Sequence, residues 1–320
     1  MLSEEAMLPL SQGHLTLLDA CDRKFKYVFF DALSSPSSYE QKTKTQWGTQ
    51  FHLLMQQRAL NLPIAVMSDA DAEMMQRLSA LLSALEESAP DVFAPLKAGS
   101  GPVMNAEASY QSEQKRTLDF NGYLLTVIYD LVVESPGSAR IFDWKTHQQP
   151  PRKDWLQADW QTKLYLYVLC ETSDLLPEQL SMTYCFVRAE AEGGAKNGAE
   201  NAVENGAENG ARASGTEDTA PLPSFYRFGY SAAQHHQTRK ALEALTNRLT
   251  QGISLLETGR EAIGFPKVDE AKGLCVTCPF AIRCDRTSAA TPTHKKSDDP
   301  YHLLRAARQI TAESVEEVPL

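Results

Sequence analysis

The spacing of apolar positions divides the chain into helical and extended stretches. Residues 14–30 and 40–60 carry apolar side chains at helical intervals. In 69–88, Met74, Met75, Leu78, Leu81, Leu82 and Leu85 repeat three and four apart, which predicts a helix with one packing face. The pattern then changes. Residues 103–145 are rich in β-branched and aromatic side chains, with apolar runs at Leu124–Val133 and Ile141–Lys145 that predict strands. Asn121-Gly122 marks a hairpin turn before the first run. Ser135-Pro136-Gly137-Ser138 marks another turn between the two. Helical spacing returns at 155–171, a strand is expected at 181–188, a short strand near 225–230 and a helix at 232–258.

Two stretches break this pattern. Residues 190–220 are Gly-, Ala-, Asn- and Glu-rich, with a degenerate repeat in Lys196–Glu200, Glu204–Ala207 and Glu208–Ala211. Such a composition cannot bury a core, so a disordered insertion is expected in a hairpin loop away from any site. Residues 287–320 read as a C-terminal tail, with a short helix at 300–309. The expected domain therefore runs over 1–286, with a helical insertion at about 60–98.

Charge excludes some classes. The net charge of −10 is uneven: residues 190–220 carry −5, residues 285–320 carry −1, and the remainder −4. No long basic run is present, so a broad electrostatic footprint for nucleic acid is not supported. Arg23-Lys24-Phe25-Lys26, Lys115-Arg116 and Arg152-Lys153 are local candidates for phosphate contacts or plain solvated faces. No apolar run approaches a membrane span, and Met1–Glu5 lacks a signal-peptide pattern, so a cytoplasmic protein without membrane contact is expected. No Walker A sequence occurs, so no ATP-driven motor is expected.

The candidate chemistry lies in the second hairpin. If Glu134 pairs with Ala139 across the turn, the same register puts Asp130 opposite Asp143. Like charges in that position repel, which calls for a cation. Lys145 follows Asp143 by two residues and shares its strand face. Two hard oxygen ligands beside an ammonium suit Mg²⁺ or Mn²⁺ acting on a phosphodiester. The competing reading of the hairpin alone is a solvated face with a surface ion pair.

Four motifs lie in order along the chain: Gly48-Thr49-Gln50-Phe51-His52 on a helix, Asp130 on a strand, Asp143-Trp144-Lys145 on the next, and Gln161-Thr162-Lys163-Leu164-Tyr165 on a following helix. Together they resemble the PD-(D/E)XK nuclease superfamily, specifically its RecB-like branch. Cys21-Asp22-Arg23-Lys24-Phe25-Lys26-Tyr27 resembles the branch's N-terminal helix, with Asp22 where proline is usual. The resemblance covers about residues 11–286 apart from one insertion. It implies a restriction-endonuclease-like α/β core, a central mixed sheet flanked by helices.

The resemblance also implies roles. Asp130, Asp143, His52 and the Trp144 carbonyl would hold the divalent ion, Lys145 would act on the attacking water and the developing charge, and Gln161 and Tyr165 would lie against the lysine or the DNA backbone. Glu107 is a weaker candidate for a supporting place. Thr146 follows the lysine as in many relatives.

Six cysteines give a separate signal. Cys275-Val276-Thr277-Cys278 and Cys284 cluster near the C-terminal end, and Cys21 stands alone near the other. AddB-type nucleases and CRISPR-associated RecB-like exonucleases share this one-plus-three arrangement, which in them holds a [4Fe–4S] cluster. Such a group would staple the two ends of the domain together. Spacing alone leaves a four-cysteine zinc site open. Cys170 and Cys185 read as core thiols, and disulfides are not expected.

The expectation is a metal-dependent DNA nuclease, exonuclease-like, in repair, recombination or defence. It would act alone, with a separate helicase, or in a CRISPR-type complex. The alternative is a catalytically silent DNA-binding or assembly module of the same fold, stabilised by the cysteine site.

Overall fold

The computed structural model describes residues 7–33, 39–60, 62, 80–87, 90, 108–146, 152–187 and 223–286. The expected insertion at 190–220, the expected tail at 287–320, Glu107 and most of the expected helical insertion lie outside these residues.

A six-stranded mixed sheet forms the centre. Its strands are β1 (Leu8–Leu10), β2 (Ser109–Phe120), β3 (Tyr123–Ser135), β4 (Ser138–Lys145), β5 (Leu180–Phe186) and β6 (Ser224–Gly229). The helices are α1 (Gln12–Ala20), α2 (Asp22–Phe29), α3 (Tyr39–Ala59), α4 (Lys153–Ala158), α5 (Trp160–Glu171), α6 (Ala232–Glu257) and α7 (Glu261–Gly264), with a further helical run over 80–87.

Turn chemistry sets the hairpins. Asn121 and Gly122 both take positive φ (54° and 82°), as a tight two-residue turn between β2 and β3 requires. Pro136 and Gly137 (φ 76°) make the turn between β3 and β4, with Glu134 paired to Ala139 as the register argument expects.

β2 runs antiparallel to β3 along its whole length. β3's other edge is shared. β1 pairs in parallel with Tyr123–Leu125, and β4 pairs antiparallel with Leu131–Ser135. Between them, over residues 126–130, that edge has no ladder partner among the described residues. β4 then pairs in parallel with β5, and β5 antiparallel with β6.

Two apolar cores cover the two faces. The larger gathers α1, α2, α5 and α6 against one face. The smaller packs Phe51, Leu54 and Met55 of α3, with Leu81, Leu82 and Leu85, against the other. Side chains along a strand alternate between faces. Tyr123, Leu125, Val127 and Tyr129 point into the larger core, yet Leu131 and Val133 point into the smaller one. The alternation of β3 therefore slips by one residue at Asp130. β2 slips with it: Phe120 packs on the larger core and Tyr110 on the smaller. The slip in β2 falls at Glu113, whose φ of 51° breaks the extended backbone between Ser112 and Gln114.

The structure departs from sequence expectation in three places. The stretch 14–30 is two helices, because Cys21 is extended (φ −165°, ψ 113°) between them. The stretch 155–171 is also two, divided at Asp159, whose carboxylate accepts from the Gln161 N–H and caps α5. β1 was not expected, since three residues containing Pro9 leave no alternation to read.

Candidate active site

The β3–β4 ladder stops at Leu131–Phe142, one step short of the expected pairing of Asp130 with Asp143. The two carboxylates are therefore not cross-strand partners. The slip at Asp130 turns its side chain toward α3, and its Oδ2 accepts from the Trp144 N–H at 2.7 Å. A side chain thus replaces the missing main-chain acceptor. The N–H and C=O of one strand residue face the same neighbour, so the Trp144 carbonyl also points to the Asp130 side.

α3 supplies His52. Its Nδ1 lies 3.3 Å from Asp130 Oδ1, with the ring 34 % exposed. The motif glycine has a steric reason. A Cβ on Gly48 would stand 3.1 Å from Thr146 Oγ1, so glycine lets α3 approach the end of β4. Asp143 is 3 % exposed and faces α5. Gln161 Nε2 donates to its Oδ2 at 2.5 Å, while Gln161 Oε1 accepts from Lys145 Nζ at 2.9 Å. Lys145 Nζ also pairs with Asp143 Oδ1 at 2.7 Å. One amide thus fixes both members of the ion pair.

Burial and charge set the protonation states. Burial pushes Asp143 well above the usual carboxylate range, and the nearby Asp130 adds to this against the pull of Lys145. Burial also raises Asp130, but His52, the Trp144 N–H and Lys145 outweigh it and hold its carboxyl below the usual range. Burial lowers His52, yet the Asp130 charge and hydrogen bond lift it to about 9. Without a cation, the site holds a proton on His52 and resists a second full carboxylate charge.

Tyr165 is placed differently from Gln161. It is 3 % exposed in the larger core, edge-on to Tyr129, whose hydroxyl donates to the Tyr165 carbonyl at 3.0 Å. A side chain that buried does not reach a phosphate backbone in this arrangement. Most of the proposed basic contacts are likewise turned to internal partners. Arg23 donates to the Phe265 carbonyl, Lys26 pairs with Asp31 and Glu261, Arg116 with Glu134, and Arg152 with Asp154.

Glu113 was missed by sequence reading. Among the described residues, the one set of three His, Cys, Asp or Glu ligand atoms within 4.8 Å of one another is His52, Glu113 and Asp130. Extending the Asn121-Gly122 hairpin register back along β2 puts Glu113 opposite Asp130, so the signal was present.

The four expected cysteines line one cavity of about 30 Å³, with Lys24, Tyr27, Phe280 and Arg286. The helix break at Cys21 brings one thiol to it. The other three arrive on a segment of turns, stitched by the Cys278 N–H to the Cys275 carbonyl and the Cys284 N–H to the Phe280 carbonyl. Gly252 and Gly264 let α6 and α7 touch, since a Cβ on Gly264 would stand 2.6 Å from the Gly252 carbonyl oxygen. That contact returns the chain to α2, where the Arg23 N–H donates to the Pro266 carbonyl. Burial, reinforced by the neighbouring cysteines, raises the Cys275 and Cys278 thiols. Four thiols around one cavity fit a group that supplies positive charge. Cys185 is buried and Cys170 half-buried, and neither lines the cavity.

No curated protein sequence matches the chain. The solved structures that resemble it include two at low identity. One is of SSO0001, at 11% identity and a TM-score of 0.31, covering 77% of this chain and 78% of that one. The other is a Eubacterium rectale protein provisionally assigned as an exonuclease, at 10% identity and a TM-score of 0.37, covering 78% and 81%. At such scores neither likeness carries weight alone. The family model does: that of the PD-(D/E)XK nuclease superfamily matches residues 9–285, and the chain belongs to that superfamily.

Proposed function

We propose that this protein is a metal-dependent DNA nuclease of the RecB-like branch, exonuclease-like, acting in repair, recombination or defence. The observation that carries the reading is the clamp of Gln161 on Asp143 and Lys145, beside the His52–Asp130 pair. PD-(D/E)XK nucleases use divalent metals such as Mg²⁺ and Mn²⁺, and the residues here fit one. Asp130, Asp143, His52 and the Trp144 carbonyl would hold the ion, whose chemistry when bound is to neutralise phosphate charge and acidify water.

The chain's own groups do the rest. Lys145 offers its ammonium to charge developing on the phosphate oxygens. Asp143 and Gln161 fix its position beforehand, so little reorganisation is needed at the moment of reaction. Asp159 caps α5 and thereby fixes the backbone of Gln161. Tyr165, buried against Tyr129, supports the helix that carries Gln161.

We favour a [4Fe–4S] cluster over zinc for the four cysteines, on the one-plus-three pattern of Cys21 with Cys275, Cys278 and Cys284, which line one cavity and offer the four thiolates such a cluster takes. The protein would act alone, with a separate helicase, or in a CRISPR-type complex.

The test is incubation of anaerobically purified protein with single- and double-stranded DNA, with and without Mn²⁺. Wild type should degrade DNA only with the ion, and Asp143→Ala should not. Equal Mn²⁺-dependent cleavage by Asp143→Ala, with contaminating nuclease excluded, would sink the reading.

A further inference from the structure

We propose that Glu113 is a ligand of the divalent ion, so that this chain binds it through a carboxylate from β2 in addition to His52 and the β3–β4 aspartates. The inference rests on the metal-site reading above and adds a residue that none of the four motifs contains.

Three observations converge on Glu113. Its carboxylate lies with His52 Nδ1/Nε2 and an Asp130 oxygen in a set within 4.8 Å, the compactness that ligands of one ion share. The three side chains come from three elements, α3, β2 and β3, and meet at the level where both strands exchange faces. The β2–β3 register sets Glu113 opposite Asp130, and α3 adds His52. Glu113 also holds a left-handed backbone (φ 51°) in mid-strand, a conformation that costs a non-glycine residue about 1–2 kcal/mol. The ladder skips Glu113 and resumes in the same register on either side, Ser112 with Leu131 and Gln114 with Tyr129. Ser112 Oγ donates to the Asp130 carbonyl at 2.9 Å and holds the slipped level together. A carboxylate kept at a strained position, where glycine or asparagine would be easier, is explained by what the carboxylate does.

The electrostatics agree. Asp130 is compensated by His52 in the present state. A second carboxylate beside it adds repulsion, which a shared dication would relieve. Asp143 faces α5 and is occupied by Lys145 and Gln161. A fourth oxygen donor, from β2, would therefore complete the ligand set on the α3 side.

The experiment measures Mn²⁺ binding directly, by calorimetry and by the electron paramagnetic resonance of free Mn²⁺, alongside melting temperature. Wild type, Asp130→Asn, Glu113→Gln and Glu113→Gly are compared. Glu113→Gln should bind Mn²⁺ at least tenfold more weakly than wild type while melting at the same temperature. Glu113→Gly should lose the same affinity and melt higher, because glycine accepts the left-handed backbone. Wild-type affinity in Glu113→Gln, with Asp130→Asn weakened, would overturn the role of Glu113 and leave the metal site standing. A wild type that binds no Mn²⁺ would overturn both.

Discussion

The Trp144 N–H donates to Asp130 Oδ2 at 2.7 Å, across the gap where the β3–β4 ladder ends. Asp130 therefore has two functions that substitution can separate: an acceptor for a strand N–H and a charge for a cation. Asp130→Asn keeps an acceptor oxygen and loses the charge. It should melt near wild type and bind Mn²⁺ at least tenfold more weakly. Asp130→Ala removes both and leaves the Trp144 N–H without its acceptor, which should cost about 1–3 kcal/mol more. Chemical denaturation of the pair, with Mn²⁺ calorimetry, reads the two effects apart. Equal stability in the two variants would mean that the hydrogen bond contributes little.

Gln161 should act through Lys145. Its amide accepts from Lys145 Nζ and donates to Asp143. Gln161→Met keeps the length of the side chain and removes both bonds. The expected outcome is a loss of at least tenfold in the single-turnover cleavage rate, with Mn²⁺ affinity changed less than threefold. If affinity falls as far as the rate, Gln161 supports the ion rather than the lysine.

Gly48→Ala tests why the helix motif begins with glycine. Alanine favours a helix by about 1 kcal/mol, but its methyl would press on Thr146 Oγ1 at 3.1 Å. The contact should push α3, and with it His52, away from Asp130. Mn²⁺ affinity should drop, and Thr146→Ala should restore it in the double variant, since the opposing oxygen is gone. A double-mutant cycle measures the coupling. Additive losses would show that the contact does not position His52.

The hairpin chemistry was legible because it is local. Pro136-Gly137 and Asn121-Gly122 dictate their turns, and the turns dictate register. The four motifs carried His52, Asp143, Lys145 and Gln161 to one place. What failed was extrapolation of a regular ladder by one more step. The slip at Asp130 and Glu113 arises from packing two cores on opposite faces, and no single strand announces it. Tyr165 looked like a partner of Gln161 because residues four apart share a helix face. The face is shared, yet Tyr165 is one turn further from the open edge and lies under Tyr129. The grouping of the cysteines was legible for a different reason: the one-plus-three pattern sets Cys21 apart with Cys275, Cys278 and Cys284, and all four line one cavity.

The pH dependence of the cation-free protein has a definite sign. His52 sits at about 9, above its ordinary 6.5, because Asp130 favours the imidazolium. Its stabilising contribution is complete below pH about 6.5 and is lost as pH rises through about 9. Asp143 is also raised, so its protonated form is favoured on folding and its contribution fades as the pH climbs above the ordinary carboxylate range. Both effects lower stability with rising pH. Metal uptake runs the other way, since it needs neutral His52 and ionised Asp143 and so releases protons. Melting temperature without metal should fall from pH 6.5 to 9 while Mn²⁺ affinity rises. His52→Gln should flatten the fall. A wild-type melting temperature that rises across this window would contradict the assigned protonation.

The four-cysteine cavity should serve structure rather than cleavage. Its lining includes residues of α2 and of the segment after α7, and Tyr27 lies against Phe280 with ring centres 5.4 Å apart and planes tilted by 59°. Lys24, 8 % exposed, lines the same cavity. Anaerobically purified protein should be brown, with absorbance at roughly 400 nm from the thiolate–iron ligation. Cys278→Ala should lose the colour and melt well below Asp143→Ala, because the bound group contributes folding free energy. Cys170→Ala and Cys185→Ala should keep the colour. One zinc and no iron per chain would change the identity of the group and keep the staple. Full metal content in Cys21→Ser would remove the staple, since Cys21 is the one member of the expected ligand set that lies near the N-terminus.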